Sequence, residues 1–461
     1  MNGRVRRWSA AVAAALVLAL LSAAQVSAHP MSSHTSWTNN DTLSSGSVGD
    51  IVAVWQLVLF LEGYLDRCGA NGIDGIFGSN TDTATRRYQS QHGVTGGADG
   101  IVGPNTWSHA FSHVKFFVQV PGFDYYRYDA TTAADAPSAL RWNYATTQWQ
   151  AFIPVAGGWK WIGSNHPTRN FTPCNPDERS GRNKQVVFVH GIDSDASGGF
   201  GTGCEGTWRD MFNALRAWGW TRSFSPVQYY VNDSTCSTTS SVVNERIDGH
   251  GNHTAYGSSG HLNGSHTADA TIEHLAYHFA WFVYHRFTQN GIVIDVAAHS
   301  MGGLITRYAI HAVQNGFAAF PPTLLIEDVV TFGTPHGGAV FAGTCNWVQC
   351  DEMVSDSPFI TNLQANASNP QALGHTEWTA IGAADDVVVG VANTTAMNAA
   401  HKVQYDFGQN LGHSAYMHTN SGSTATTAHA SFQDFGGSWI HSTSFPWPVR
   451  VADFAMAFTS W

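Results

Sequence analysis

Charge is what this 461-residue sequence has least of. Asp, Glu, Lys and Arg make up 12% of it, about half the usual share. A surface of Ser, Thr, Asn, Gln and Gly is expected, not one laced with ion pairs. Bases are scarcer than acids, 22 against 33, for a net charge of −11. That balance excludes nucleic acid and anionic membrane as main partners. No stretch beyond residue 28 approaches ~18 unbroken apolar residues, so no stable membrane insertion is expected of the mature chain. No C-x-x-C spacing occurs among the six cysteines. That excludes a C-x-x-C metal or redox site, and no cofactor and no metal is expected.

The N-terminus carries what the rest lacks. Arg4, Arg6 and Arg7 form a basic start, and Ala10 to Leu21 are apolar but too short for a typical span. Val26-Ser27-Ala28 supplies small residues at a cleavage position. Residues 1–28 read as a signal peptide cut after Ala28, which makes the protein secreted and extracellular. Six cysteines in an exported chain suggest disulfides. Cys345 and Cys350 are close in sequence, and Cys204 and Cys236 flank a loop-rich stretch. That leaves Cys68 with Cys174. Six cysteines allow fifteen connectivities, so spacing alone does not fix the pairing.

A weak repeat follows. Asp74-Gly75-Ile76-Phe77-Gly78 precedes Thr81, and Asp99-Gly100-Ile101-Val102-Gly103 precedes Thr106, with a 25-residue shift. Asp-Gly supplies a tight turn, and a polar residue soon after it can cap a helix. Helices are expected over 52–61 and 81–91, the first with Val52, Trp55 and Leu59 on one face. Val54-Trp55-Gln56, Leu59, Gly63-Tyr64, both Asp-Gly turns, Tyr88-Gln89 and Gly103-Pro104-Asn105-Thr106-Trp107 resemble the small peptidoglycan-binding domain of bacterial wall hydrolases. The resemblance covers 46–112 and implies a non-catalytic helical module that takes peptidoglycan as its partner. Residues 113–180 then show short aromatic β-rich runs at 116–120, 125–128, 140–144, 149–153 and 159–162, a linker or subdomain whose aromatics serve core packing.

From 181 to 461 the pattern becomes short apolar strands alternating with helices, the mark of an α/β sheet. Strands are expected at 186–190, 227–231, 292–298, 328–332, 378–381 and 402–405. Helices are expected at 272–287 and 301–313. At the strand-to-helix junction stands Ala298-His299-Ser300-Met301-Gly302-Gly303. Small residues at 298 and 302 let strand and helix approach, and a sharp turn would project the Ser300 hydroxyl. The first position is Ala, not Gly.

This A-x-S-x-G, with His190-Gly191-Ile192 and Gly333-Thr334-Pro335-His336-Gly337-Gly338, resembles secreted α/β-hydrolase lipases and esterases over about 185–420. The resemblance implies the α/β-hydrolase fold, a mostly parallel sheet flanked by helices, and a carboxylic ester hydrolase acting on a lipid or other ester. It implies a catalytic serine at Ser300 and an oxyanion hole from the main chain of Ile192 and Met301. It places the acid at Asp385, with Asp386 close behind, because each begins an Asp-x-apolar-apolar run. The base is expected at His413, after the 402–405 strand, against the competitors His401, His418 and His429. His336 lies too early in chain order and reads as structural. A wall-binding module joined to such a hydrolase also resembles phage mycolyl esterases. An acyltransferase with the same serine, a zinc-dependent wall hydrolase and a non-catalytic wall binder remain alternatives. A monomer is expected.

His250, His253, His261 and His266 fall in a Gly/Asn/Ser-rich loop that reads as a lid or substrate rim. His274 and His278 follow at i, i+4 on a helix, without an H-E-x-x-H pattern. Residues 340–373 form a second lid candidate.

Overall fold

A computed structural model describes residues 42–120, 122–129, 139–163, 168–175, 181–192, 203–230, 233–237, 242–247, 267–339, 341–418 and 428–458. The expected signal peptide and the histidine-rich loop at 250–266 lie outside the described residues.

Three helices open the described chain: α1 (Asp50–Leu61), α2 (Ser79–Gln91) and α3 (Pro104–Ser112). α1 is buried on all sides, not along one face as its spacing suggests. The reason lies in what surrounds it. Trp55 packs edge-on against Tyr88 and Trp107, while its other side meets a β-sheet. The two turns of the repeat are clamped alike. The Gln56 amide donates to Asp74 Oδ1, the Ile76 carbonyl and Thr81 Oγ1 and accepts from the Asp74 and Gly75 amides. Gln89 makes the matching bonds to Asp99, Ile101, Thr106 and the Gly100 amide. Gly75 and Gly100 both hold φ of +73°, which glycine adopts without strain. Thr81 and Thr106 do not cap the helices. Gly78 and Gly103 occupy the cap positions without a side-chain bond, and the threonines brace the turns.

Five antiparallel strands follow as a meander: β1 (Val114–Val120), β2 (Phe123–Tyr128), β3 (Leu140–Asn143), β4 (Gln148–Val155) and β5 (Gly158–Gly163). Alternation sends Tyr126, Tyr128, Trp142 and Trp149 into one core with the three helices. Val118 and Tyr125 join the core on the other side, where the Tyr125 and Tyr284 hydroxyls lie 2.7 Å apart. The sheet's aromatics are thus packing residues, and Cys68–Cys174 ties its far end to the helical module.

The remaining elements are β6 (Gln185–Val189), α4 (Gly203–Ala217), β7 (Phe224–Gln228), β8 (Glu245–Arg246), α5 (Ile272–Arg286), β9 (Ile294–His299), α6 (Met301–Gln314), β10 (Ile326–Phe332), α7 (Val348–Met353), α8 (Pro358–Asn366), β11 (Glu377–Ala383), α9 (Val391–Thr394), β12 (His401–Tyr405), β13 (Ala428–Asp434), β14 (Ile440–Phe445) and α10 (Pro448–Ala457). One nine-stranded sheet runs in the order β14-β13-β12-β11-β10-β9-β6-β7-β8. Pairing is parallel from β8 through β12 and antiparallel only at β13 and β14. β9 and β10 are buried along their whole length, as strands covered on both faces must be. α5 and α6 pack on one face and α4 and α10 on the other. This is the α/β-hydrolase fold: a helix-flanked, mostly parallel sheet with the serine turn at the end of a central strand. Cys204–Cys236 and Cys345–Cys350 complete the disulfides. No helix among the described residues is long and apolar enough to cross a membrane.

Candidate active site

β9 stops at His299 and the chain reverses at once. Ser300 holds φ +54° and ψ −131°, a conformation costly for a residue with a Cβ. Its surroundings hold it there. The Ser300 amide donates to the Phe332 carbonyl at 2.9 Å, and the Thr334 hydroxyl donates to the Ser300 carbonyl at 2.8 Å. A Cβ on Gly302 would lie 2.3 Å from the Val189 carbonyl oxygen and 2.4 Å from that of His190. A Cβ on Gly191 would lie 2.6 Å from Ser300 Cβ. Strand, turn and helix thus meet without room for a methyl group at 191 or 302. Ala298 is fully buried in its strand, so the departure from Gly is accommodated there.

His413 arrives on the loop after β12. Its Nε2 is 2.9 Å from Ser300 Oγ and its Nδ1 is 2.8 Å from Asp386 Oδ2. The expectation of Asp385 is therefore corrected: the carboxylate that reaches the imidazole is Asp386. The Asp386 amide donates to the Ala383 carbonyl, a turn that points its side chain inward. Asp385, one residue earlier, faces the other way and accepts from the Gly408 and Leu411 amides. Asp386 is 3% exposed. Its Oδ1 accepts from the Val388 and Val389 amides, and its Oδ2 also accepts from the Tyr416 hydroxyl. Burial alone would raise its pKa. His413, the Val389 amide and Tyr416 outweigh it, so the carboxyl sits below its ordinary value and is charged.

Residues that the motifs did not single out hold this geometry. His299 Nε2 donates to the His413 carbonyl at 2.8 Å. Burial, then the neighbouring His413, push His299 down to about 3, so it is neutral and positions the loop through that bond. Its one sequence signal is its place beside Ser300. His190 stacks on the Tyr229 ring, centroids 4.1 Å apart, and its Nε2 lies 3.0 Å from Asp233 Oδ2. The same Asp233 oxygen accepts from the Tyr229 and Tyr230 amides. The Tyr229 hydroxyl donates to the His190 and Gly191 carbonyls. The loop that enters Ile192 is thus fixed by a tyrosine and an acid about 40 residues downstream, a separation with no local signal. Met301 opens α6, where the first amides have no partner within the helix. Ile192 lines the pocket beside Ser300.

The other histidines are engaged elsewhere. His336 is fully buried between the Thr331 hydroxyl at 3.1 Å and Arg307 at 3.4 Å. His401 bridges Glu377 and Asp434, and His418 meets Asp210. His429 is exposed on β13. His274 and His278 face each other, Nε2 to Nε2 at 3.2 Å.

Above Ser300 opens a narrow pocket. Apart from Ser300, His413 and His190 its walls are mostly apolar: Ile192, Ala339, Ala342, Trp347, Met353, Val388, Val389 and Met417. Trp347 and Met353 come from the 340–373 segment that Cys345–Cys350 staples.

Residues 56–109 match the family described as "Putative peptidoglycan binding domain". The zinc D-Ala-D-Ala carboxypeptidase of Streptomyces albus G is 30% identical over 205 residues, covering 43% of this chain and 76% of that protein. Over those 205 residues the chain belongs to that protein's family. Among solved structures, Aspergillus fumigatus lipase B is similar at 15% identity over 46% of this chain and 39% of its own, TM-score 0.29. Bacillus licheniformis lipase BlEst2 in mature form matches at 15% over 46% and 69%, TM-score 0.26. An α/β hydrolase from a Moroccan lagoon metagenome matches at 13% over 52% and 86%, TM-score 0.30. The fold assignment rests on this chain's own topology.

The carboxypeptidase's name includes zinc. Among the described residues, two groups bring three ligand side chains within 4.8 Å of one another: Asp295, Glu327 and Asp328, and His92, His109 and His113. The acidic group already holds a cation, the Lys184 ammonium, at 3.0, 3.4 and 2.9 Å. The histidine group fits zinc, which takes imidazole nitrogen readily. Burial keeps His92 and His109 below their ordinary values, hence neutral at pH 7.

Proposed function

We propose that this chain is a secreted serine hydrolase that cleaves carboxylic, lipid-type esters through an acyl-enzyme and is held at the bacterial wall by residues 46–112. The observation that carries the reading is the continuous relay from Ser300 Oγ to His413 Nε2 at 2.9 Å and from His413 Nδ1 to Asp386 Oδ2 at 2.8 Å. His413 takes the Ser300 proton as Oγ bonds to the ester carbonyl carbon. The oxygen of that carbonyl becomes negative and is received by the Ile192 and Met301 amides, assisted by the N-terminus of α6. His413 then gives the proton to the leaving alkoxide, and the C–O bond breaks. A water, deprotonated by His413, attacks the acyl-enzyme, and Ser300 recovers its proton. Asp386 holds the tautomer and balances the imidazolium. The apolar pocket suits an acyl chain. Zinc bound by His92, His109 and His113 would organise the helical module. Every step above belongs to this chain's own residues.

The family of the relative supports a second reading, metal-dependent cleavage at the wall. One experiment separates the two. Hydrolysis of nitrophenyl esters from C2 to C16 is followed for the secreted protein, for Ser300→Ala and after chelation. Loss in Ser300→Ala with indifference to chelator is the expected result, and the chain-length profile divides esterase from lipase. Full activity in Ser300→Ala with loss on chelation would replace this reading by the metal-dependent one. Adding an acceptor alcohol and analysing products distinguishes hydrolysis from acyl transfer.

A further inference from the structure

One cluster lies outside the hydrolase site, at the seam between the helical module and the five-stranded sheet. His92 follows α2 as its C-cap, His109 belongs to α3, and His113 links α3 to β1. Ring centroids are 5.1 Å apart for His92–His109 and for His109–His113, and 5.9 Å for His92–His113. Glu62, its side chain fully buried, brings a carboxylate oxygen to 3.5 Å from His92 Nε2.

We infer that His92, His109 and His113, with Glu62 beside them, form a structural site for a divalent transition metal, zinc by preference. The hydrogen bonds prepare the donors. His113 Nδ1 lies 3.1 Å from the Asp129 carbonyl, which can only accept, so that nitrogen carries the proton and Nε2 keeps its lone pair. His109 Nδ1 bonds the Tyr88 hydroxyl at 2.8 Å, which leaves its Nε2 to ligate. A metal-binding histidine is usually oriented in this way by a partner on its other nitrogen. The Tyr128 hydroxyl donates to Glu62 Oε1 at 2.9 Å, which orients the carboxylate. A tetrahedral zinc with Zn–N of about 2.0–2.1 Å needs nitrogens roughly 3.3 Å apart. The ligand atoms already lie within 4.8 Å, and His92 and His113 are the C-cap residues of α2 and α3, so their side chains project from helix ends. Three imidazoles suit zinc, copper or nickel, not magnesium or calcium. A metal here would staple α2 and α3 to the strand that leads away from them. It would act on stability, because Ser300 belongs to a different sheet.

The inference stands apart from the ester-hydrolase reading, and one set of measurements tells their failures apart. The secreted protein is loaded with zinc or cobalt(II), freed of excess by gel filtration, and assayed for metal content, visible absorption and thermal unfolding. Expected are one retained metal per chain, the d–d absorption of tetrahedral cobalt, and a melting temperature raised by metal and lowered by chelator. His113→Gln and His109→Asn should each weaken zinc more than about tenfold and abolish the metal-dependent shift, with metal-free melting close to that of the metal-free parent. His274→Gln should leave all three readouts unchanged. No retained metal, octahedral cobalt, or the same metal content and shift in both variants would overturn the site. If both variants misfold, the cobalt spectrum of the parent protein still decides. Ester hydrolysis, followed in parallel, tests only the other reading.

Discussion

At the scale of single residues, Asp385 and Asp386 make the sharpest contrast. Both are carboxylates, both begin an Asp-x-apolar-apolar run, and one peptide unit separates them. The turn after β11 sends Asp386 inward to His413 and Asp385 outward to two loop amides. Asp386→Asn should lower kcat by about 10⁴, because the amide no longer holds the productive tautomer. Asp385→Asn loses at most one loop hydrogen bond, worth about 1 kcal/mol, and should cost less than about tenfold. A larger loss in Asp385→Asn than in Asp386→Asn, measured on a short nitrophenyl ester, would return the acid to Asp385. His401 offers a pH-dependent test of stability. Burial would lower its pKa, but the bonds to Glu377 and Asp434 more than compensate, and it stands above its ordinary value. The fold therefore favours its protonated form. That stabilisation is complete below the unfolded value of about 6.5 and fades as pH rises through the higher folded value. The melting-temperature gap between the parent and His401→Gln should be wider at pH 5 than at pH 9.

At the scale of elements, the serine turn depends on close backbone approach. The end of β6, the start of α6 and the Ser300 turn share a space that a single methyl group would fill. Gly302→Ala puts a Cβ against two carbonyl oxygens that belong to the backbone and cannot rotate away. It should destabilise by about 1–3 kcal/mol and reduce ester hydrolysis more than its effect on melting explains, since the displaced strand carries the Ile192 loop. Unfolding curves and kcat on the same preparation check this. The elements around the turn were mostly legible. β9, α6, β10, β11 and β12 fall close to their expected positions, because β-branched runs bounded by turns and a 3.6-residue apolar stripe are local properties. α1 also falls close to its expected place, but its sequence reads as one-faced, and only the sheet on its second side explains its all-round burial.

At the scale of the molecule, the N-terminal helices and the hydrolase sheet are connected by more than chain. Arg67, from the helical module, pairs with Glu327 at 3.0 Å. Glu327 belongs to the trio of acids around Lys184, whose ammonium burial disfavours and the three acids hold firmly charged. Lys184→Ala would leave Asp295, Glu327 and Asp328 facing one another in a buried site, and Arg67 would reach only one of them. A loss of about 3–5 kcal/mol is expected, as for other broken buried pairs, read as a lower denaturation midpoint at pH 7. The loss should shrink as pH falls and Asp295, whose carboxyl burial raises well above its ordinary value, takes up a proton. A Lys184→Ala protein as stable as its parent would mean that the three acids do not depend on the lysine.

The sequence by itself determined the classes: an α/β sheet, a helical wall-binding-like module, an A-x-S-x-G turn, and a chain order of serine, acid and histidine. These are patterns of neighbours, and neighbours are what a sequence records. Only the tertiary structure decided which of two adjacent aspartates meets His413, that His299 and Tyr229 brace the site, that Lys184 is ringed by acids, and that His92, His109 and His113 converge. Each of those depends on the direction of a side chain after a turn, or on residues brought together across tens to hundreds of positions. Direction and distance in space are set by packing, which no local pattern encodes.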